Sequence, residues 1–131
     1  MFPLNYSWYD TWLTCDQIVR GDRVMTQSIY VGIDVGGTMI KLGICNHEGE
    51  LLHTFEGTTG TEEGVQTVLN NIANYAKKFV EQSSYDWSQV EGCGIGFPGF
   101  MDMKNGIVKL APNLKWKNVA VQDVLQDMLQ K

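Results

Sequence analysis

Ile29-Tyr-Val-Gly-Ile-Asp-Val-Gly-Gly-Thr-Met-Ile-Lys-Leu-Gly-Ile-Cys45 is the stretch on which the fold turns. Ile29 to Asp34 is β-branched and apolar, and reads as a buried strand. Val35-Gly36-Gly37-Thr38 breaks it as a tight turn, and Met39 to Cys45 resumes as a second strand. Two adjacent glycines at such a turn let backbone approach an anion closely. Successive N–H groups there form a nest for phosphate oxygens. Thr38 adds a hydroxyl donor, and Asp34 brings a carboxylate able to hold Mg²⁺ directly or through water. Lys41 offers a point positive charge, with strand alternation deciding where it aims. The competing reading of Gly36-Gly37 is a hairpin that merely needs glycines; Asp34 before it and Thr38 after it favour the phosphate reading. A Walker loop is excluded, because the GxxxxGK[ST] spacing is absent and the next element is a strand.

Outward from this core, Asn46-His47-Glu48-Gly49 is hairpin chemistry. Glu50 to Gly57 follows as a third strand, which completes an antiparallel meander. Thr59 and Thr61 are N-cap candidates for the next helix, with Glu62 and Glu63 suited to its positive end. Val65, Val68, Leu69, Ile72, Tyr75, Ala76, Phe79 and Val80 form one apolar stripe at helical spacing. Ser83 to Gln89 is a loop, and Val90 to Phe97 a fourth strand. After a helical crossover that strand is expected to run parallel to the first. Pro98-Gly99 ends it, Asn105-Gly106 marks another hairpin before Ile107 to Leu110, and Val121, Val124, Leu125, Met128 and Leu129 define a last helix. Gly94-Ile-Gly96-Phe-Pro-Gly99 fits GxGxxG, but the third glycine leads into a turn, where a dinucleotide fingerprint would open a helix.

The 131 residues are read as one domain, with 44% hydrophobic and 19% charged residues. A net charge of −5 without a basic stripe argues against a nucleic-acid binder. Cys15, Cys45 and Cys93 form neither a disulfide framework nor a zinc motif, and read as reduced thiols of a cytoplasmic protein. No apolar run reaches the length of a membrane span. Residues 1–24, with Trp8 and Trp12, show no period and no targeting pattern, and read as an extension outside the domain. Met25, just ahead of the strand pattern, is the expected true start, which the N-terminal mass of the native gene product checks.

Three blocks carry a resemblance: Asp34-Val-Gly-Gly-Thr with Lys41, Gly94-Ile-Gly-Phe-Pro-Gly99, and Ala111-Pro-Asn-Leu-Lys-Trp116. In this order they resemble the ROK-family sugar kinases, most of all the bacterial glucokinases among them. The resemblance covers Ile29 to the end of the chain. It implies an α/β fold, the first actin-like ATPase lobe, ribonuclease-H-like, here expected to be incomplete over 25–131. It implies ATP and Mg²⁺ as cofactors, with Asp34, Gly36, Gly37 and Thr38 facing the phosphates and metal, and Lys41 nearby. Gly96, Pro98, Gly99 and Asn113 would line the side of a hexose, glucose being the expected one. Asn113 keeps an alternative as a loop residue holding its own turn, Asp102 reads as a turn residue, and Trp116 as packing.

The resemblance places the catalytic base in an Asn-Asp pair and a structural zinc in a His- and Cys-rich block, both expected beyond Lys131. His47 and His53, in a turn and a separate strand, do not replace that block. The chain alone is therefore expected not to phosphorylate sugar. An unpaired sheet edge and self-association into a homo-oligomer are also expected. The family's sugar-responsive regulators carry a winged helix-turn-helix ahead of the first strand, a pattern that the segment before Ile29 does not show. A regulator fragment and a non-catalytic sugar-binding paralogue stay as alternatives to the kinase lobe.

Overall fold

Alternation dictates the centre of the sheet. Ile29, Val31, Ile33 and Val35 are buried and Asp34 is exposed; on the next strand Ile40, Leu42 and Ile44 are buried and Lys41 is exposed. One face thus goes to the core and the other carries the charges. The computed structural model describes residues 2–3 and 27–131. Cys15, Trp8, Trp12 and Met25 lie outside the described residues.

The strands are β1 (Phe2–Pro3), β2 (Ile29–Val35), β3 (Met39–Asn46), β4 (Leu51–Thr58), β5 (Val90–Gly96), β6 (Phe100–Asp102), β7 (Ile107–Ala111) and β8 (Trp116–Ala120), and the helices are α1 (Val65–Gln82) and α2 (Val121–Leu129). A five-stranded sheet has the order β1-β5-β2-β3-β4, and β6-β7-β8 form a second, antiparallel sheet. The predicted meander is present: β2 pairs antiparallel with β3, and β3 with β4. As expected, β5 returns parallel to β2. The edge strand expected to be bare is partly covered, because Phe2 and Pro3 pair antiparallel with Ile95 and Gly94 of β5.

Helix α1 packs the predicted stripe onto the sheet, burying Val68, Leu69, Ile72, Ala73, Ala76, Phe79 and Val80. Phe55 of β4 meets Tyr75 and Phe79 at ring-centroid distances of 5.5 and 5.7 Å. Helix α2 is held at its carbonyl end by α1, where Lys77 Nζ donates to Met128 O, and by the Trp87–Gln89 3-10 turn, where Trp87 Nε1 donates to Leu129 O.

The reading of the α1 start is corrected. Neither Thr59 nor Thr61 caps the helix: the N-cap is Gly64 at φ 96°, with no side-chain cap. A 3-10 turn over Thr61–Glu63 comes first, so Glu62 and Glu63 sit in that turn and not in the first turn of α1. The two hydroxyls are engaged elsewhere, as described below. A strand over Trp116–Ala120 was also not anticipated, and it extends the β6–β7 hairpin. The glycine-rich GxGxxG stretch runs from β5 into β6, with no helix after Gly99.

Candidate functional site

The β2–β3 turn is held by its carbonyls. Gly36 N–H donates to Met39 O at 2.9 Å and closes the turn. Thr59 Oγ1 donates to Gly36 O at 2.7 Å, and Thr61 Oγ1 to Gly37 O at 2.6 Å. Thr59 N–H donates to Thr38 O at 2.8 Å. Thr59 is itself fully buried, and Asn71 Nδ2 on α1 donates to its carbonyl at 3.1 Å. Carbonyls of three consecutive residues therefore point into the β4–α1 connection. Among the described residues the N–H groups of Gly37 and Thr38 and the Thr38 hydroxyl have no protein partner. Thr38 is exposed.

Asp34 stands near the end of β2, two residues ahead of Gly36. Asp34, exposed, is paired across the sheet with Lys41 on β3 and with Gly96 on β5. The ends of the parallel strands β2 and β5 thus bring Asp34 and Gly96 side by side, the place where open α/β sheets bind ligands. Lys41 Nζ stands 4.0 Å from Glu56 Oε1, with both side chains well exposed. Its alternation puts it on the charged face of the sheet with Asp34.

The residues expected on the hexose side approach the same turn. A Cβ on Gly37 would lie 2.7 Å from Asn113 O and 3.1 Å from Asn113 Cβ, so the Pro112–Leu114 3-10 turn rests directly on the glycine. Gly99, at φ 102°, is equally tight: a Cβ there would lie 2.1 Å from Leu110 O. That contact seats the loop after β5 on the end of β7, just before Asn113. Pro98 is half-buried and Asn113 exposed, and no described residue hydrogen-bonds the Asn113 side chain. Lys115 Nζ bridges both Glu62 oxygens at 2.7 Å, tying the Pro112–Leu114 turn to the Thr61–Glu63 turn.

Asp34, Gly96, Gly37 and Asn113 are thus gathered at one end of the sheet, and Pro98 and Gly99 continue from Gly96. Sequence reasoning missed Thr59, Thr61, Asn71, Glu62 and Lys115, which position this end. The local signal for Thr59 and Thr61 is the pair of threonines around Gly60, which by itself reads as capping.

The remaining sequence candidates play structural parts. Asp102 Oδ1 accepts from Asn105 N–H at 3.2 Å and Oδ2 from Asn105 Nδ2 at 2.8 Å, and these bonds hold its carboxyl below the usual range. Trp116 is buried, with its ring 5.8 Å from that of Phe97. Burial pushes the Cys93 thiol up to about 12 and raises that of Cys45. Among the described residues no three His, Cys, Asp or Glu side chains group as a metal site. No helix among them is long and apolar enough to cross a membrane.

The donor set fits an anionic phosphate: two N–H groups and a hydroxyl without partners, at a turn whose glycines leave room for close approach. An exposed carboxylate beside it suits a hard cation with oxygen ligands.

Comparison with known proteins bears on the family and the fold. The glucokinase of Halalkalibacterium halodurans is 33% identical over 103 residues, which are 79% of this chain and 31% of that protein. The xylose repressor of Caldicellulosiruptor bescii is 31% identical over 96 residues, 73% of this chain and 24% of that protein. Among solved structures, a ROK family glucokinase from Streptomyces griseus in complex with glucose and AMPPNP superposes with a TM-score of 0.66 at 30% identity. The superposition covers 76% of this chain and 30% of that one. The chain thus spans roughly a quarter to a third of the length of these relatives. It has the N-terminal α/β architecture of the ROK sugar kinases, the actin-like ATPase fold. The ROK family profile matches residues 30–131, and the chain belongs to the ROK family.

Proposed function

We propose that this chain forms the phosphate-binding part of an ATP-dependent hexose kinase, with glucose as the hexose. The observation that carries the reading is the β2–β3 turn. Its carbonyls are all engaged from behind, and its unpartnered donors stand beside Asp34. In this reading the N–H groups of Gly37 and Thr38 and the Thr38 hydroxyl hold phosphate oxygens. Asp34 holds Mg²⁺. Lys41 contributes positive charge at the rim. Gly96, Pro98, Gly99 and Asn113 line the hexose side, with the Asn113 amide bonding a sugar hydroxyl. Bound ATP supplies the phosphoryl group and Mg²⁺ neutralises its charge, so the protein's task is positioning. The likeness to a glucokinase supports the kinase reading, with the chain spanning 31% of that relative.

Titration of the ¹⁵N-labelled chain with Mg·AMPPNP tests the phosphate site. The Gly37 and Thr38 amide signals are expected to shift, and Asp34→Asn is expected to remove the Mg²⁺ dependence of the shift. Unchanged signals at saturating nucleotide would refute the reading.

A second reading, a sugar-responsive regulator, is favoured by the 31% identity to a xylose repressor. It needs the sugar side without phosphoryl transfer. A coupled assay of ADP formation with glucose on the native gene's product separates the two: turnover supports the kinase, while sugar-dependent DNA binding without turnover supports the regulator.

A further inference from the structure

We infer that Thr59 and Thr61 are positioning residues of the phosphate site, which set the direction of its backbone donors; this rests on the phosphate reading above. In a trans peptide the carbonyl of one residue and the N–H of the next point in opposite directions. The Gly36 carbonyl is held by Thr59 Oγ1 at 2.7 Å and the Gly37 carbonyl by Thr61 Oγ1 at 2.6 Å. These two bonds therefore turn the N–H groups of Gly37 and Thr38 away from the β4–α1 connection, out of the protein.

Without them the direction is poorly fixed. Glycine populates both signs of φ with little cost, so a Gly-Gly peptide can flip and present a carbonyl in place of an N–H. A carbonyl facing a phosphate repels it. The turn has no helix behind it to orient its amides, because α1 begins only at Val65.

The two threonines are themselves anchored to different elements. Thr59 is tied to α1 through Asn71. Thr61 opens the 3-10 turn whose next residue, Glu62, pairs with Lys115. Thr61 is only half-buried, so its hydroxyl is not needed to fill the core. A side chain aimed at a loop carbonyl from that position has its most direct use in the loop.

The test uses the full chain, Mg·ATP as the probe, and the variants Thr61→Val and Thr61→Ser. Valine keeps the shape and removes the donor, whereas serine restores it. Thr61→Val is expected to weaken Mg·ATP binding about fivefold or more, the order expected for losing one hydrogen bond. Its melting temperature is expected to stay close to that of the wild type. Thr61→Ser should bind within about twofold of wild type. Wild-type affinity in Thr61→Val overturns the inference. So does a loss that serine does not rescue, or a valine variant that no longer folds, since the hydroxyl would then serve the fold and not the donors. If the wild-type chain shows no Mg·ATP effect on its Gly37 and Thr38 amides, the phosphate reading itself fails, and this inference with it.

Discussion

Gly37→Ala perturbs the contact on which the two halves of the site meet. Alanine is conformationally acceptable here, because Gly37 is not among the positive-φ glycines. The whole penalty therefore comes from space. The new Cβ would lie 2.7 Å from the Asn113 carbonyl oxygen, and ordinary contact begins near 3.4 Å, so the Pro112–Leu114 turn must retreat by about 0.7 Å. The obstacle is backbone, not the end of a flexible side chain, and the turn is pinned by the Lys115–Glu62 pair and by buried Leu114. Overpacking of this kind costs about 1–3 kcal/mol. Against it, alanine restricts the unfolded chain and returns about 0.4–1 kcal/mol. The net expectation is a loss of roughly 0.5–2 kcal/mol, or a fall in melting temperature of several degrees.

Urea denaturation measures this, with Gly92→Ala as the comparator. A Cβ at Gly92 on β5 meets nothing within 4 Å, so that variant should be neutral or slightly stabilised. Mg·AMPPNP affinity should fall in Gly37→Ala and hold in Gly92→Ala. If Gly37→Ala proves as stable as Gly92→Ala, the Gly37–Asn113 contact is not close-packed and the reasoning is refuted.

Gly99→Ala combines a φ of 102° with a Cβ 2.1 Å from Leu110 O, and should cost about 2–4 kcal/mol in the same urea titration, more than Gly37→Ala. The Cys93 thiol, pushed up to about 12 by burial, stays protonated in the folded chain while an unfolded thiol ionises near 9. Its contribution is complete below pH 9 and is lost as pH rises from there towards 12. Stability should fall by up to about 1.4 kcal/mol per pH unit, and Cys93→Ala should show a shallower slope between pH 9 and 11. The Glu62–Lys115 pair is largely exposed, with side chains 79% and 64% accessible, so a double-mutant cycle should return below about 1 kcal/mol, and less at high salt.

Where the sequence was informative, the signal was local. The β-branched, apolar run Ile29 to Asp34 and the run Met39 to Cys45 marked both strands, the burial pattern of the structure adding which face each buries, and the stripe from Val65 to Val80 marked α1. Asp34 and the Gly36–Thr38 turn could be picked out because carboxylate, glycines and hydroxyl are contiguous. What was not legible depends on contacts far apart in the chain. Thr59 and Thr61 looked like caps because capping is the commonest local use of such threonines; their acceptors lie 23 and 24 residues away. Strand β8 carries Lys117 and Asn118, the latter at φ 52°, so neither propensity nor alternation marks it. It is specified by its pairing with β7, with Trp116 opposite Ala111 and Val119 opposite Val108.

The late start of α1 and the shape of the β2–β3 turn have one cause. In a Walker-type loop the following helix orients the amides and adds its positive end. Here the turn joins two antiparallel strands, so nothing in its own continuation fixes which way its peptides face. The orientation has to come from another segment, and the segment next to it in the sheet is the end of β4, where Met39 pairs with Thr58. If α1 began directly after Thr58, Thr59 and Thr61 would be helical, and their hydroxyls would turn to their own helix. The 3-10 turn over Thr61–Glu63, bracketed by Gly60 at φ 78° and Gly64 at φ 96°, holds the chain out of the helix long enough for both hydroxyls to reach Gly36 and Gly37. The two flanking glycines thus have a function that the capping reading could not give them: they let a helix wait while the strand before it finishes the turn.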